Sequence, residues 1–136
     1  MQFDGACGRK INVNTPDRAA ALQAVRDRLR LNSGFAFATI NLDHVEKLRG
    51  DSRYADAYAA QDIVVADGNP VVWLSRLARR PVGLVPGSEM VLPIARIAAE
   101  EGAPIALVGS TDAALAAAGD ALCRAVPGLE IAALVA

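Results

Sequence analysis

The feature that most constrains the fold is a series of short apolar runs that alternate with longer stretches of helical spacing. Residues 35–40, 63–66 and 105–108 are almost entirely apolar and do not alternate with polar residues. Such runs are typical of parallel strands that helices cover on both faces. The alternation therefore predicts an α/β fold of three layers, in which a mostly parallel, Rossmann-like sheet has helices on both faces.

The remaining elements follow from hydrophobic spacing and from breaker residues. We predict helices at residues 19–31, 43–48, 52–60, 71–80, 90–101 and 113–125, and further strands at residues 10–14 and 129–135. The segment Thr15-Pro16-Asp17 is expected to cap the first helix, with Pro16 at its first position. The last strand ends with the chain and leaves a sheet edge uncovered. We therefore expect residues 1–136 to form a single domain that lacks its C-terminal part, and the open edge could support a homo-oligomer.

The composition excludes several classes of function. The 14 Lys and Arg residues are offset by 15 Asp and Glu residues, so no basic surface indicates nucleic acid as a partner. Cys7 and Cys123 form no CxxC motif and His44 is the single histidine, so no metal site is predicted. The N-terminus lacks the apolar core of a signal peptide, and no apolar stretch reaches the ~20 residues of a membrane span. We predict a cytoplasmic protein whose membrane contact is peripheral.

Polar turns follow three of the predicted strands. They contain Thr39 and Asn41, then Asp67, Gly68 and Asn69, and finally Gly109 and Ser110. Ligands of open parallel sheets bind at the carboxyl ends of the strands. These turns are therefore the candidate functional site.

Asp67 is the first candidate for chemistry. It follows an apolar strand, and the neighbouring Gly68 lets a ligand approach the backbone closely. A carboxylate at this place could act as a general base, or it could cap the next helix from a tight turn. The residue pattern alone leaves both interpretations open.

The other polar residues suit binding rather than nucleophilic chemistry. Thr39 and Asn41 offer a hydroxyl and an amide for sugar hydroxyls or a phosphate, although both could simply cap the next helix. The turn at residues 109–110 opens a helix whose free N–H groups favour an anion such as a diphosphate. Gly87 and Glu89 begin another helix and could form a second polar wall. Neither a GxGxxG nor a P-loop motif is present, which disfavours a dinucleotide oxidoreductase and a P-loop enzyme.

Five segments resemble, in order, the successive motifs of the WecG/TagA/CpsF family, glycosyltransferase family twenty-six. They are residues 39–44 (TINLDH), 66–73 (ADGNPVVW), 87–90 (GSEM), 106–109 (ALVG) and 126–131 (VPGLEI). Their order and spacing agree together, and the resemblance extends over nearly the whole chain.

The resemblance implies an inverting, metal-independent transferase that uses no cofactor. Its implied reaction moves N-acetylmannosamine or a related sugar from a UDP donor to an undecaprenyl-diphosphate-linked sugar at the inner face of the plasma membrane. That reaction serves the biosynthesis of teichoic acid or of exopolysaccharide. The resemblance implies that Asp67 is the base that deprotonates the acceptor hydroxyl, and that Thr39 and Asn41 line the same pocket. We assign catalysis to Asp67 and Thr39, and substrate binding to Asn41, Gly68, Asn69, Gly87, Glu89, Gly109 and Ser110.

Two positions depart from the pattern that the resemblance leads us to expect. Glu89 stands where the family usually has aspartate, and Leu84 stands where an arginine is usual. Phosphate recognition could then fall to Arg76, Arg79 or Arg80. The family chain also continues beyond residue 136, so we expect the isolated 136-residue chain to be inactive or nearly so. A second hypothesis is a UDP-sugar or nucleotide-binding module that has lost transfer.

Overall fold

The computed structural model describes residues 1–136 and confirms an α/β, Rossmann-like fold. The strands are β1 (Gln2–Asp4), β2 (Lys10–Asn12), β3 (Phe37–Ile40), β4 (Ile63–Ala66), β5 (Ile105–Val108) and β6 (Ile131–Val135). The helices are α1 (Arg18–Arg30), α2 (Leu42–Gly50), α3 (Ser52–Ala59), α4 (Asn69–Leu77), α5 (Gly87–Glu100) and α6 (Asp112–Ala125). None of these helices combines the length and the apolarity that crossing a bilayer requires.

The chain divides into two compact units. The first contains residues 1–24 and 34–88, and the second contains residues 25–33 and 89–136. The strands form three separate two-stranded sheets: β1 with β2, β3 with β4, and β5 with β6. The first pair is antiparallel and the other two are parallel. Each unit therefore contains one parallel pair, joined by helices as βαβ connections require.

In the parallel pair of the first unit, strand β4 has hydrogen-bonding neighbours on both of its edges. β4 is buried along its whole length, and β3 pairs with it from Phe37 opposite Ile63 to Ile40 opposite Ala66. On its other edge, Asn14 takes the place of a strand, because its Oδ1 accepts from the Val64 N–H at 2.9 Å. The two helices α2 and α3 connect β3 to β4. A continuous apolar run therefore forms a strand with both edges and both faces covered, as predicted for residues 63–66.

The core of the first unit joins the sheet to three helices. Its buried members include Val45 and Leu48 of α2, Tyr58 of α3 and Val71 of α4. Val64 and Ala66 belong to the same cluster, whereas Val65 is fully buried on the opposite face of β4. Helical spacing of the apolar residues thus sets which face of each helix packs on the sheet.

The second unit has its own, smaller core. Its buried residues are Ala95, Ala98, Leu122, Val126 and Leu129, and Ile105 and Leu107 of β5 pack against them. Here the prediction of a strand buried on both faces is wrong. Val108 is 77% exposed, and most of β6 is exposed as well. The reason is that helices cover only one face of this two-stranded sheet, so alternate β5 residues face solvent.

Two details at the N-terminus differ from the prediction. The cap of α1 is Asp17, whose Oδ1 accepts from the Ala20 N–H at 2.9 Å, so Pro16 precedes the cap instead of opening the helix. Strand β1 was not predicted. It pairs with β2 and contains only three residues, too few to show a hydrophobic period.

Candidate active site

The carboxyl ends of β3 and β4 lie side by side. Ile40 pairs with Ala66, so the next residues, Asn41 and Asp67, leave the sheet at the same edge. The Asp67 N–H donates to the Ile40 carbonyl at 2.9 Å and extends the pairing by one bond. Polar residues from two turns that are far apart in sequence are therefore neighbours in the fold, as predicted for strand ends of a parallel sheet.

Gly87 adjoins both Thr39 and Asp67. Its N–H donates to Asp67 Oδ2 at 3.1 Å. A Cβ at position 87 would lie 3.5 Å from both Asp67 Oδ2 and Thr39 Oγ1, and only 3.1 Å from Thr39 Cγ2. The missing side chain lets the backbone approach the carboxylate, and it keeps the space beside the Thr39 hydroxyl open. One oxygen of Asp67 is thereby held, while Oδ1 makes no hydrogen bond within the chain.

Asp67 does not cap α4. The N-cap residue is Gly68, with φ 108° and ψ 137°, a conformation that residues with a Cβ rarely adopt. Asn69 then begins the helix as an exposed residue, and Pro70 follows in its first turn. The capping interpretation of Asp67 is therefore excluded by the local geometry, and its half-buried carboxylate faces Gly87 instead.

Asn41 has a structural role that the sequence left open. Its Oδ1 accepts from the His44 N–H at 3.0 Å and so caps α2. Its Nδ2 group makes no hydrogen bond within the chain, and its Cβ would lie 3.9 Å from a Cβ placed on Gly68. The capping bond fixes Asn41 at the strand ends and leaves the amide nitrogen as a donor for a ligand.

Tyr58 and His44 form a hydrogen-bonded cluster at the backbone carbonyl of Thr39. The Tyr58 hydroxyl donates to the Thr39 carbonyl at 2.6 Å, and His44 Nδ1 lies 2.8 Å from that hydroxyl and 3.2 Å from the carbonyl. Because the phenol has one proton and donates it to the carbonyl, we assign a proton to His44 Nδ1 from this hydrogen bonding. Burial raises the pKa of Tyr58, and the contacts with Tyr54 and the nearby charge of Asp67 raise it further.

The chain can now be placed among known proteins. The family described as "Glycosyl transferase WecG/TagA/CpsF family" matches residues 8–136. The chain belongs to this glycosyl transferase family. No curated protein matches the chain. Membership assigns it to glycosyl transfer, a reaction that moves a sugar from a donor to an acceptor.

Three predicted site residues of the transferase lie in the second unit. Glu89 is exposed in the first turn of α5, which begins at Gly87. Gly109 and Ser110 form the turn between β5 and α6, with φ 104° and 65°, and Ser110 is exposed. Thr111 caps α6 by accepting from the Ala114 N–H. Residues 109–110 thus form a turn that leads into α6, as the sequence predicts.

Three arginines could take over phosphate recognition from the arginine that Leu84 replaces, but helix α4 separates them from Asp67. Arg76, Arg79 and Arg80 lie at or after the C-terminal end of α4, whereas Asp67 precedes its N-terminal end. At 1.5 Å per residue, the nine residues of α4 span about 13 Å. Elsewhere, the structure contains no group of three His, Cys, Asp or Glu side chains that could hold a metal ion.

Sequence reasoning missed Tyr58 as part of this site and gave His44 no defined role. Tyr54 and Tyr58 are four residues apart in α3, a spacing that suggests packing of two rings on one helix face. Nothing in that spacing shows a hydroxyl reaching a strand-end carbonyl. The usable signal was the two tyrosines on the helix that follows the helix of the lone histidine, since buried tyrosine hydroxyls usually find a partner.

Proposed function

We propose that this transferase moves N-acetylmannosamine, or a related sugar, from a UDP donor to an undecaprenyl-diphosphate-linked sugar, and that Asp67 is the general base. The observation that carries the proposal is the position of the Asp67 carboxylate. Gly87 holds Oδ2 by its N–H, and Oδ1 stays unpaired at the strand ends. A carboxylate with one oxygen fixed and the other open can accept a proton from a bound hydroxyl.

The proposed reaction is a single displacement. The acceptor hydroxyl attacks the anomeric carbon of the donor sugar, its proton passes to Asp67, and the bond between that carbon and the diphosphate breaks. The UDP leaves with the bonding electrons, and the configuration of the anomeric carbon inverts. Thr39 Oγ1, on the same side of Gly87 as Asp67 Oδ2, would orient the attacking hydroxyl by a hydrogen bond.

The other proposed contacts serve substrate binding. Asn41 Nδ2 and the backbone at Gly68 and Asn69 offer donors at the strand ends, where sugar hydroxyls and a diphosphate both accept hydrogen bonds. Donor binding is also proposed for Gly109 and Ser110. No metal or cofactor takes part in the proposed mechanism, so excess chelator should leave the rate unchanged.

The test measures transfer by the full-length parent protein, from UDP-N-acetylmannosamine to a lipid-diphosphate-N-acetylglucosamine analogue. Asp67→Asn should lower the rate at least a hundredfold, because it removes the base and keeps the shape of the side chain. It should leave the affinity for UDP within a factor of three, a range of about 0.7 kcal/mol. Asp120→Asn, an exposed carboxylate of α6 with no hydrogen-bond partner, is the matched control and should keep the full rate.

A second candidate is a module that binds a UDP-sugar without transferring it. Leu84 favours it, because this exposed apolar residue stands where the family resemblance leads us to expect an arginine. Saturable UDP binding by a protein that shows no transfer with any sugar acceptor would support the module. Transfer that Asp67→Asn does not slow would remove Asp67 from the mechanism.

A further inference from the structure

Helix α4 has an apolar stripe on the side that faces away from the core. Its buried residues are Val71, Val72 and Ser75. Trp73 and Leu77 are 63% and 82% exposed, and their spacing of four residues places them on one face. Folding of the chain gains nothing from apolar surface that stays in water. An exposed stripe of this kind marks a surface that binds something else.

The charge next to this stripe has one sign. Arg76, Arg79 and Arg80 are all exposed, and none of their side chains forms a hydrogen bond or ion pair within the chain. No Asp or Glu occurs between Asp67 and Glu89. The segment that carries the stripe therefore has only positive charge, in a chain whose net charge is −1. This complements an anionic partner.

The backbone at Arg79 adds an independent observation. Arg79 has φ 54°, in the left-handed region, directly after the end of α4. The N–H of the next residue, Arg80, donates to the Ser75 carbonyl at 2.9 Å. Glycine normally occupies this helix-ending position, because a Cβ is strained there. An arginine at a position that suits glycine points to a use for its side chain.

We propose that this surface of α4 docks the protein on a bilayer that contains anionic lipid. The α4 surface consists of Trp73, Leu74, Arg76, Leu77, Arg79 and Arg80. Tryptophan suits the boundary between headgroups and acyl chains, and a guanidinium group pairs with lipid phosphates. The stripe lies on an exposed helix face, which a fluid bilayer can accommodate without a complementary pocket.

This inference deepens the proposed function and rests on it for its purpose, which is to bring the site to a lipid-borne acceptor. The physical basis of docking is separate from catalysis, since Trp73 and the arginines lie outside the strand-end site. Docking can therefore be measured without donor, acceptor or turnover. A protein that docks but does not transfer would contradict only the proposed function. A protein that transfers to a soluble acceptor but does not dock would contradict only this inference.

The test uses Trp73 itself, which is the single tryptophan of the chain. Its fluorescence is recorded with vesicles of phosphatidylcholine alone and with vesicles that also contain phosphatidylglycerol. We expect a blue shift with the anionic vesicles only, quenching by brominated acyl chains, and weaker binding as salt concentration rises. Vesicle co-sedimentation gives the partition coefficient.

Substitutions within the α4 surface should lower that coefficient. Arg76→Ala, Arg80→Ala and Arg79→Gly should each reduce it about fivefold, since a basic residue near an anionic membrane contributes about 1 kcal/mol. Leu77→Ser should reduce it about tenfold through lost apolar burial. The controls are Arg124→Ala and Leu31→Ser, which change an exposed arginine and a 76% exposed leucine elsewhere and should leave it unchanged.

Arg79→Gly distinguishes docking from a general loss of structure. Relief of the backbone strain should raise its Tm while its vesicle binding falls. Equal binding to neutral and anionic vesicles, or control variants that bind as weakly as the α4 variants, would overturn the proposal. A blue shift that grows with protein concentration in the absence of vesicles would also overturn it, because the stripe would then pair with a second copy of the chain.

Discussion

The Tyr58 hydroxyl donates a hydrogen bond of 2.6 Å to the Thr39 carbonyl oxygen and so secures strand β3 at a residue that adjoins Gly87, as the candidate base Asp67 does. The carbonyls of Ala36 and Ile40 accept from the β4 side. Alternate carbonyls of a strand point to opposite edges, so that of Thr39 faces away from β4. A side chain from α3 therefore satisfies a group that no strand pairs with.

Tyr58→Phe should destabilise the protein by about 1 kcal/mol, the net contribution of a hydrogen bond, without opening a cavity. His44 limits the loss, because its Nδ1 already lies 3.2 Å from the same carbonyl and can serve it alone. Removing both groups should leave that carbonyl without a partner. The cost of Tyr58→Phe combined with His44→Ala should therefore exceed the sum of the single costs in urea unfolding. Simple additivity would show that the two groups act independently.

Gly87→Ala should damage the site more than the fold. The added Cβ would lie 3.1 Å from Thr39 Cγ2 and close to the Asp67 carboxylate, so Thr39 must move. Small displacements of reacting groups slow catalysis strongly, and we expect the transfer rate to fall on the order of tenfold to a hundredfold. The free energy of unfolding should change by less than about 1 kcal/mol, since position 87 has no positive φ.

Gly50→Ala is the matched control for that substitution. Gly50 ends α2, is exposed, and has no atom within 4 Å of its would-be Cβ. Alanine there should stabilise the protein by about 0.5–1 kcal/mol through helix propensity and leave transfer unchanged. Equal loss of transfer in both variants would mean that the Gly87 effect is not local to the site.

Ser75→Ala tests a buried link in the first unit. Ser75 is fully buried, donates to the Val72 carbonyl at 2.7 Å and accepts from the Val82 N–H at 3.1 Å. The alanine variant leaves the Val82 N–H without a partner in an apolar surrounding. It should therefore lower the free energy of unfolding by about 1–3 kcal/mol. Ser88→Ala, an exposed serine, should stay within about 0.5 kcal/mol of the wild type. Comparable stability of the two variants in urea unfolding would show that water replaces the hydroxyl.

The sequence predicted the parts of the fold that depend on local pattern. Strand β4 is buried on both faces, and its apolar run predicted that, because every side chain of such a strand contacts protein. Strand β5 is equally apolar but alternates between partial burial and exposure. The difference lies in what packs on the second face of the sheet. That is a property of tertiary arrangement, which four apolar residues cannot report.

The candidate site divides in the same way. Asp67 was predicted from its place after a strand, since the chain order of a parallel fold brings strand ends together. Its alternative role as a helix cap was open until the φ of Gly68 and the bond from Gly87 were known. Gly87 lies 20 residues after Asp67. A contact between two such positions depends on how the intervening segment folds, and no local spacing encodes it.

The last prediction concerns acid unfolding and the carboxylate of Glu101 in the second unit. Hydrogen bonds from Arg30 and from Arg26 hold the pKa of Glu101 below its ordinary value of 4.5. The unfolded chain therefore binds this proton more readily than the folded chain. The contribution of Glu101 to stability is complete above about pH 4.5 and is lost as the pH falls through the lower, folded value. Asp43, whose pKa the hydrogen bond from Lys47 lowers, acts with the same sign.

Because both groups act together, the measurement must compare two proteins rather than one curve. Urea unfolding of the wild type and of Glu101→Gln is measured at a series of pH values from neutral to about pH 3. The wild type should be the more stable protein near neutral pH, and its advantage should shrink steadily below about pH 4.5 as Glu101 takes up its proton. Added salt should reduce the advantage, since the arginine partners are partly exposed. Two curves that stay parallel down to the lowest pH would mean that the arginines give the carboxylate no net stabilisation in water.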